Sequence, residues 1–155
     1  MSGILSQQPL YGVKIVDFSN GIAGPYASKL LADFGAEIIK IERPNSGDYA
    51  RTLGPFPNDI PHPEKSGLFM FLNSNKRSIT LDLHKPTDQA IALDFIAGAD
   101  VVLESFRPGT MAKFGLDHAK LSSRAPTRNI ITTSISNFGQ YGPYSQYTAS
   151  ELVLY

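Results

Sequence analysis

No cysteine occurs among the 155 residues, which excludes disulfides and cysteine-based zinc sites. Neither sign of charge is in excess: Lys plus Arg and Asp plus Glu each number 14. That balance leaves no electrostatic footprint for nucleic acid and no acidic arm, so an anion site has to come from local placement of cations. No apolar run approaches the length of a membrane span, and the N-terminus shows no basic segment followed by an apolar one. The expectation is a cytosolic (cytoplasmic) protein with neither a membrane nor a nucleic-acid partner. Phosphate-loop signatures are missing too. No G-x-x-x-x-G-K-[ST] occurs, and the loop Gly21-Ile22-Ala23-Gly24-Pro25 lacks the paired glycines of a dinucleotide fingerprint. Pro25 also removes an amide that a phosphate would use. His62, His84 and His118 are far apart and show no ligand spacing, so no metal is expected.

What the sequence does contain is organised around residues 13 to 43, which read as strand, glycine loop, helix, strand. Val13, Ile15 and Val16 form a short β-branched run. Pro25 suits the first position of a helix, whose apolar face is expected from Tyr26, Leu30, Leu31 and Phe34. Gly35 stands where a left-handed cap would end it, and Ile38, Ile39 and Ile41 make a second strand. Such a unit crosses over right-handed with its strands parallel, and ligands then sit beyond the strands' carboxyl ends. Those ends are Phe18 to Gly24 and Glu42 to Asp48, although spacing alone is equally compatible with a plain packed corner. Glu42 occupies the place of a ribose-binding acid, but one acid at a strand end is weak support for a dinucleotide site.

Further along, Pro55, Pro57, Pro61 and Pro63 predict an extended surface loop over residues 51 to 65, either a connector or a lid. Residues 67 to 73 suit a short helix. Ile79, Leu81 and Leu83 alternate with polar residues as in a half-buried strand over 78–83. The spacing predicts a helix over Pro86 to Ala97 closed by Gly98, then a buried strand over Val101 to Glu104. Thr110 is a candidate cap for a short helix stopped by Gly115, residues 116 to 128 are loop or weak helix, and 130 to 136 are strand. The apolar periodicity that starts at Ser150 predicts a last helix cut off at Tyr155. The whole is an α/β doubly wound, mainly parallel sheet with helices on both faces. Residues 1–9 are expected to be a flexible arm, and 10–155 the front part of a longer protein.

A set of cations then remains beside strand ends: Arg43, Lys76, Arg77, Arg107 and Lys113. Asp17, Asp33, Asp48 and Asp100 are read as strand-end, helix-surface, turn and cap acids. Arg43 and Arg107 directly follow apolar β runs, where two cations can hold a phosphate-rich ligand through charge-assisted hydrogen bonds. Ile22, Leu81 and Phe106 are apolar neighbours suited to an adenine or a pantetheine arm.

The segments GIAGPYASKLLADFGAEIIKIERPNSGD, NSNKRSITLDL, ADVVLESFRPGTMAKFGL and SISNFGQYGPY together resemble the family III CoA-transferases, the CaiB/BaiF group. The resemblance runs from Leu10 to Tyr155. It implies a Rossmann-like α/β part that binds coenzyme A, in a longer protomer that forms an interlocked homodimer. The implied activity moves CoA between carboxylic acids, with acyl-CoA and a free acid as substrates, through acyl–aspartyl and anhydride intermediates. Carried over by position, the coenzyme contacts fall on Ile22, Ala23, Arg43, Leu81, His84, Ser105, Phe106, Arg107 and Lys113. His84 stands where a relative has lysine, and Lys113 replaces an arginine, which keeps charge and loses the bidentate fork. Residues 136 to 142 are expected near the reacting thioester. The resemblance puts the nucleophilic aspartate downstream of Tyr155, so no catalytic residue is assigned within the chain and the chain alone is expected to be inactive. The racemase branch has its histidine at the position of Ser150, and serine cannot do that proton transfer near neutral pH. Racemase or lyase chemistry, and a non-catalytic CoA- or nucleotide-binding module, are the alternatives.

Overall fold

The computed structural model describes residues 8–124 and 129–149. Five strands, β1 (Lys14–Asp17), β2 (Glu37–Glu42), β3 (Lys76–Thr80), β4 (Val101–Glu104) and β5 (Ile131–Ser134), form a sheet in the order β3-β2-β1-β4-β5. Every pairing is parallel. The order reverses between β1 and β4, so the crevice beyond their carboxyl ends is the place where such a sheet opens to a ligand. The α/β doubly wound expectation therefore holds.

The two-residue side-chain period sorts the strands onto two faces. Ile15, Ile38 and Leu103 pack with Ala32 and Ala36 on one face. Val16, Ile41 and Val102 pack with Ala92, Ile96 and Met111 on the other. Helix α1 (Ala23–Asp33) and the short α2 (Gly67–Leu72) belong to the first face. Helices α3 (Pro86–Ala97), α4 (Thr110–Lys113) and α5 (His118–Arg124) follow on the second, where Ala92, Met111 and Leu121 are buried. Helix α3 matches its predicted bounds, with Pro86 in its first turn and Gly98 as its cap.

Helix α1 departs from expectation in an informative way. It starts at Ala23, so Pro25 is its third residue and still lies where an N–H has no intrahelical partner. Its buried side is Gly24, Pro25, Ser28 and Ala32. Of the expected apolar face only Leu31 packs against the core, while Tyr26, Leu30 and Phe34 are 42%, 40% and 55% exposed. Close approach to the β1 loop explains this: a Cβ on Gly24 would lie 2.2 Å from that of Ser19. Small residues must face the sheet, and the bulky stripe turns outward, where Tyr26 stacks on Phe71 of α2 with 6.3 Å between centroids. The helix ends as predicted. Gly35, at φ +103°, donates to Ala32 O, and Ala36 N–H donates to Leu31 O, a Schellman closure.

Several boundaries shift. The third strand was expected over 78–83 and spans Lys76–Thr80; Leu81 still donates its N–H to Glu42 O, but the chain then turns toward α3. Leu81 and Leu83 are buried beyond the strand. Gly109, at φ +82°, caps α4, and Thr110 is its first residue, with no side-chain cap. The last strand is confined to Ile131–Ser134. The proline loop carries two 3-10 turns, Tyr49–Thr52 and Pro57–Asp59. The helix expected from Ser150, and most of the N-terminal arm, lie outside the described residues.

Gly24→Ala should lower stability by about 1–3 kcal/mol, because the added methyl forces α1 off the loop. Urea denaturation reads this directly, and wild-type stability in the variant would show that the corner is not tight.

Candidate functional site

On the α1 face the carboxyl-terminal halves of β1 and β2 carry the charged residues Asp17, Lys40 and Glu42, and β3 sets Lys76, its first residue, and Ser78 on the same face. Asp17 is in register with Lys40, and Lys40 with Ser78. Asp17 is wholly buried and accepts from Ser19 N–H (2.8 Å), from the Ser19 hydroxyl, and from Ser28 Oγ at 2.5 Å. Lys76 Nζ lies 3.4 Å from the Asp17 carboxylate and donates to Pro25 O and Asn73 Oδ1, both at 2.8 Å. Burial pulls the Lys76 pKa down to about 8; Asp17 opposes that shift and Lys40 adds to it.

Lys40 Nζ pairs with Asp48 Oδ2 at 2.7 Å and donates to Ser19 O at 2.8 Å, with both side chains 1% exposed. The other oxygen of Asp48 accepts from Gly21 N–H (2.9 Å) and Ala50 N–H (2.8 Å). Asp48 in turn donates its N–H to Glu42 Oε2 at 2.9 Å. Arg51 clasps Glu42 with a fork, Nε to Oε2 at 2.7 Å and Nη2 to Oε1 at 2.9 Å, and its guanidinium lies 3.7 Å from the Phe69 ring centroid. Burial works against ionisation of Glu42, but Arg51, the Ser78 hydroxyl and Asp48 N–H outweigh it and hold its pKa at about 2. The same pairing raises the pKa of Arg51.

These bonds shape the rim. The β1 loop is anchored through Phe18 N–H to Leu103 O (2.7 Å) and Asn20 N–H to Ser105 Oγ (2.8 Å), besides the bonds from Ser19 and Gly21. The amides of residues 18 to 21 are thus all committed to protein acceptors, which is why this turn is not a phosphate cradle of the dinucleotide type. Two adjoining cavities open above it. One, of about 260 Å³, lies against the β2 loop and is lined by Arg43, Asp48, Leu81, His84 and Phe114. The other, of about 310 Å³, lies against the β4 loop and is lined by Ala23, Ser105, Arg107, Ser136 and Tyr147. Asn20 and Phe106 line both. Phe114 stands edge-on to Phe106 and to His84, with centroids 6.2 and 5.3 Å away, giving an aromatic wall. Arg43, Arg107 and Lys113 are exposed and have no ion-pair partner among the described residues; Arg43 Nε donates to Gly47 O at 3.2 Å.

Residues 10–154 match the family described as CoA-transferase family III. This chain belongs to that family. It is 38% identical over 146 residues to acetyl-CoA:oxalate CoA-transferase from Acetobacter aceti, covering 94% of this chain and 36% of the relative. It is 40% identical over 140 residues to human succinyl-CoA:glutarate CoA-transferase, covering 90% of this chain and 30% of that protein. Among solved structures, a CaiB/BaiF family protein from Brucella suis superposes with a TM-score of 0.82 at 34% identity, over 94% of this chain and 38% of the other. A hypothetical protein from Mycobacterium tuberculosis gives 0.81 at 39% identity, over 94% and 38%. The chain thus spans about a third of the length of these curated relatives.

The residues expected from the family pattern fall into two groups. Arg43, Leu81 and His84 line the β2-side cavity, and Ala23, Ser105 and Arg107 the β4-side cavity, with Phe106 between them. Ile22 caps α1 and is 56% exposed, and Lys113 stands on α4; neither lines these two cavities. Two of the cations expected beside strand ends are elsewhere. Lys76 opens β3 and is buried against Asp17, and Arg77 pairs with Glu37 at 3.3 Å toward the opposite end of the sheet. Asp17 and Asp48 sit at a strand end and a turn as read, but both are buried ion-pair partners, which the sequence pattern did not show. Lys40 and Phe114 were missed entirely, and Asn20 was covered only as part of the Phe18–Gly24 edge. Lys40 lies in an apolar strand run, and a lysine there that is not a surface residue is the signal that was available.

Because the folded pKa of Glu42 lies below its ordinary 4.5, its stabilising contribution is complete above about pH 4.5 and is lost as pH falls toward 2. Acid titration of stability should show a loss of about 3 kcal/mol over that window, and Glu42→Gln should flatten it. An unchanged slope in the variant would remove Glu42 from the acid response.

Proposed function

We propose that this chain is the coenzyme-holding part of a cytosolic, homodimeric enzyme that transfers CoA between carboxylic acids. The observation that carries the proposal is the coincidence of family membership with two adjoining cavities at the switch point of the sheet, flanked by cations that have no ion-pair partner among the described residues. Arg43 and His84 suit the phosphate and adenosine end of coenzyme A, and Leu81, Phe106 and Phe114 offer apolar surface to its purine and pantetheine. Ala23, Ser105 and Arg107 then face the pantetheine tail and the thioester in the β4-side cavity. Ile22 at the head of α1 and Lys113 at the end of α4 belong to the same reading through the family pattern.

In this reading the nucleophile is an aspartate from the part of the protein that follows Tyr155. Its carboxylate oxygen attacks the acyl-CoA carbonyl and the C–S bond breaks, leaving an acyl–aspartyl anhydride and a CoA thiolate. The thiolate attacks the aspartyl carbonyl, the donor acid departs, and an aspartyl-CoA thioester remains. The acceptor acid reverses these steps and leaves as its own CoA ester. The chain's contribution is to hold the coenzyme still and keep the thioester in a fixed attack geometry. Without the nucleophile the 155-residue chain should show no CoA transfer above background.

Arg43→Ala and Arg107→Ala should each weaken CoA binding by about 1–2 kcal/mol, the value of a charge-assisted hydrogen bond. Calorimetry is the test. Unchanged affinity in both variants would remove these residues from the site and the proposed coenzyme path with them.

A further inference from the structure

Asn20 occupies the switch point itself. Its backbone N–H donates to Ser105 Oγ at 2.8 Å, and the same hydroxyl lies 3.4 Å from Asn20 O. Its side-chain Oδ1 accepts from Tyr49 N–H at 2.8 Å. One residue therefore spans the loops that follow β1, β2 and β4. The Tyr49 bond fixes the turn whose Gly47 and Asp48 wall the β2-side cavity, and the Ser105 bond fixes the wall of the β4-side cavity. Asn20 lines both. It carries no charge and offers little direct attraction to a phosphate. Its bonds run to the scaffold.

We propose that Asn20 is a positioning residue for the coenzyme, setting the separation between the two cavities so that a single extended ligand fills both. The proposal rests on the coenzyme reading above. It makes a distinction that simple contact or simple stability does not. A ligand that occupies one cavity is indifferent to the spacing between them, whereas a ligand that spans both must pay for every loop fluctuation that changes it. Loss of the Tyr49 bond leaves the Gly21–Asp48 and Asn20–Ser105 bonds in place, so the loops stay attached while the Tyr49 end of the turn is no longer tied to the point the two cavities share.

The test titrates the chain with CoA, with adenosine 3′,5′-bisphosphate and with pantetheine, followed by NMR at physiological ionic strength to screen added charge. In Asn20→Ala, CoA should bind about tenfold more weakly, a loss larger than those of its two halves combined. Asn20→Asp keeps an acceptor in the place of Oδ1 and should recover most of that tenfold. Three results overturn the proposal: unchanged CoA affinity in Asn20→Ala, halves that weaken in proportion to CoA, or an Asp variant no better than Ala. If wild type binds neither CoA nor either half, the coenzyme reading itself fails and takes this proposal with it.

Discussion

The buried pair between Lys40 and Asp48 is the constraint on which the rim depends. Two charges 2.7 Å apart and 1% exposed contribute little net stability compared with well-packed apolar residues, because both must leave water. Removing one partner is another matter, since the survivor is left charged and buried at a cost of about 3–5 kcal/mol. What the pair provides here is geometry. Asp48 uses its second oxygen for Gly21 N–H and Ala50 N–H, so the lysine in β2 fixes the acid, and the acid fixes two loops. An apolar pair would fill the same volume and leave both amides without acceptors. Glu42, two residues along the strand on the same face, extends the arrangement by taking Asp48 N–H and the Arg51 fork.

That arrangement also separates this site from the dinucleotide sites built on the same strand order. There the first loop presents free amides to a pyrophosphate at a helix N-terminus. Here residues 18 to 21 give their amides to Leu103, Asp17, Ser105 and Asp48, and Pro25 has none to give. Gly24 is required for helix packing against Ser19. The backbone of residues 18 to 21 is thereby closed to an anion, and the proposed coenzyme path depends on side chains, Arg43 and Arg107 among them.

Much of this was legible in the sequence, and the failures have physical causes. Periodicity located the β-branched strands and helix α3 because core packing and local propensity agree there. The bulky stripe of α1 was assigned to the wrong side because periodicity reports that a stripe exists, not which stripe is buried; Gly24 and Ser28, not Leu30 and Phe34, face the sheet. The third strand was placed late because Leu81 and Leu83 are buried without being in it. The site residues came from family resemblance, and the structure distributes most of them over two cavities that share Asn20 and Phe106. The charged network could not be found from spacing, since Asp17, Lys40, Asp48 and Lys76 meet only through strand register and loop return.

The balance of that network has a consequence for the cleft. Asp17, Glu42 and Asp48 are matched by Lys40, Arg51 and Lys76, each acid against a base within the same buried cluster. Beneath the cavities these charges cancel and leave the buried Glu104 carboxylate at the end of β4, which accepts from Phe106 N–H at 2.6 Å, while the chain as a whole is neutral. The field in the cleft is then set by that carboxylate and by the few cations at the edge, Arg43 and Arg107 foremost. Such a field is short-ranged and screened within about 8–10 Å at ordinary salt. It cannot draw an anion from a distance as a basic protein does, so along the proposed coenzyme path the grip on the ligand rests on how accurately the loops hold those two arginines, and accuracy returns the problem to the bonds of Asp48 and Asn20.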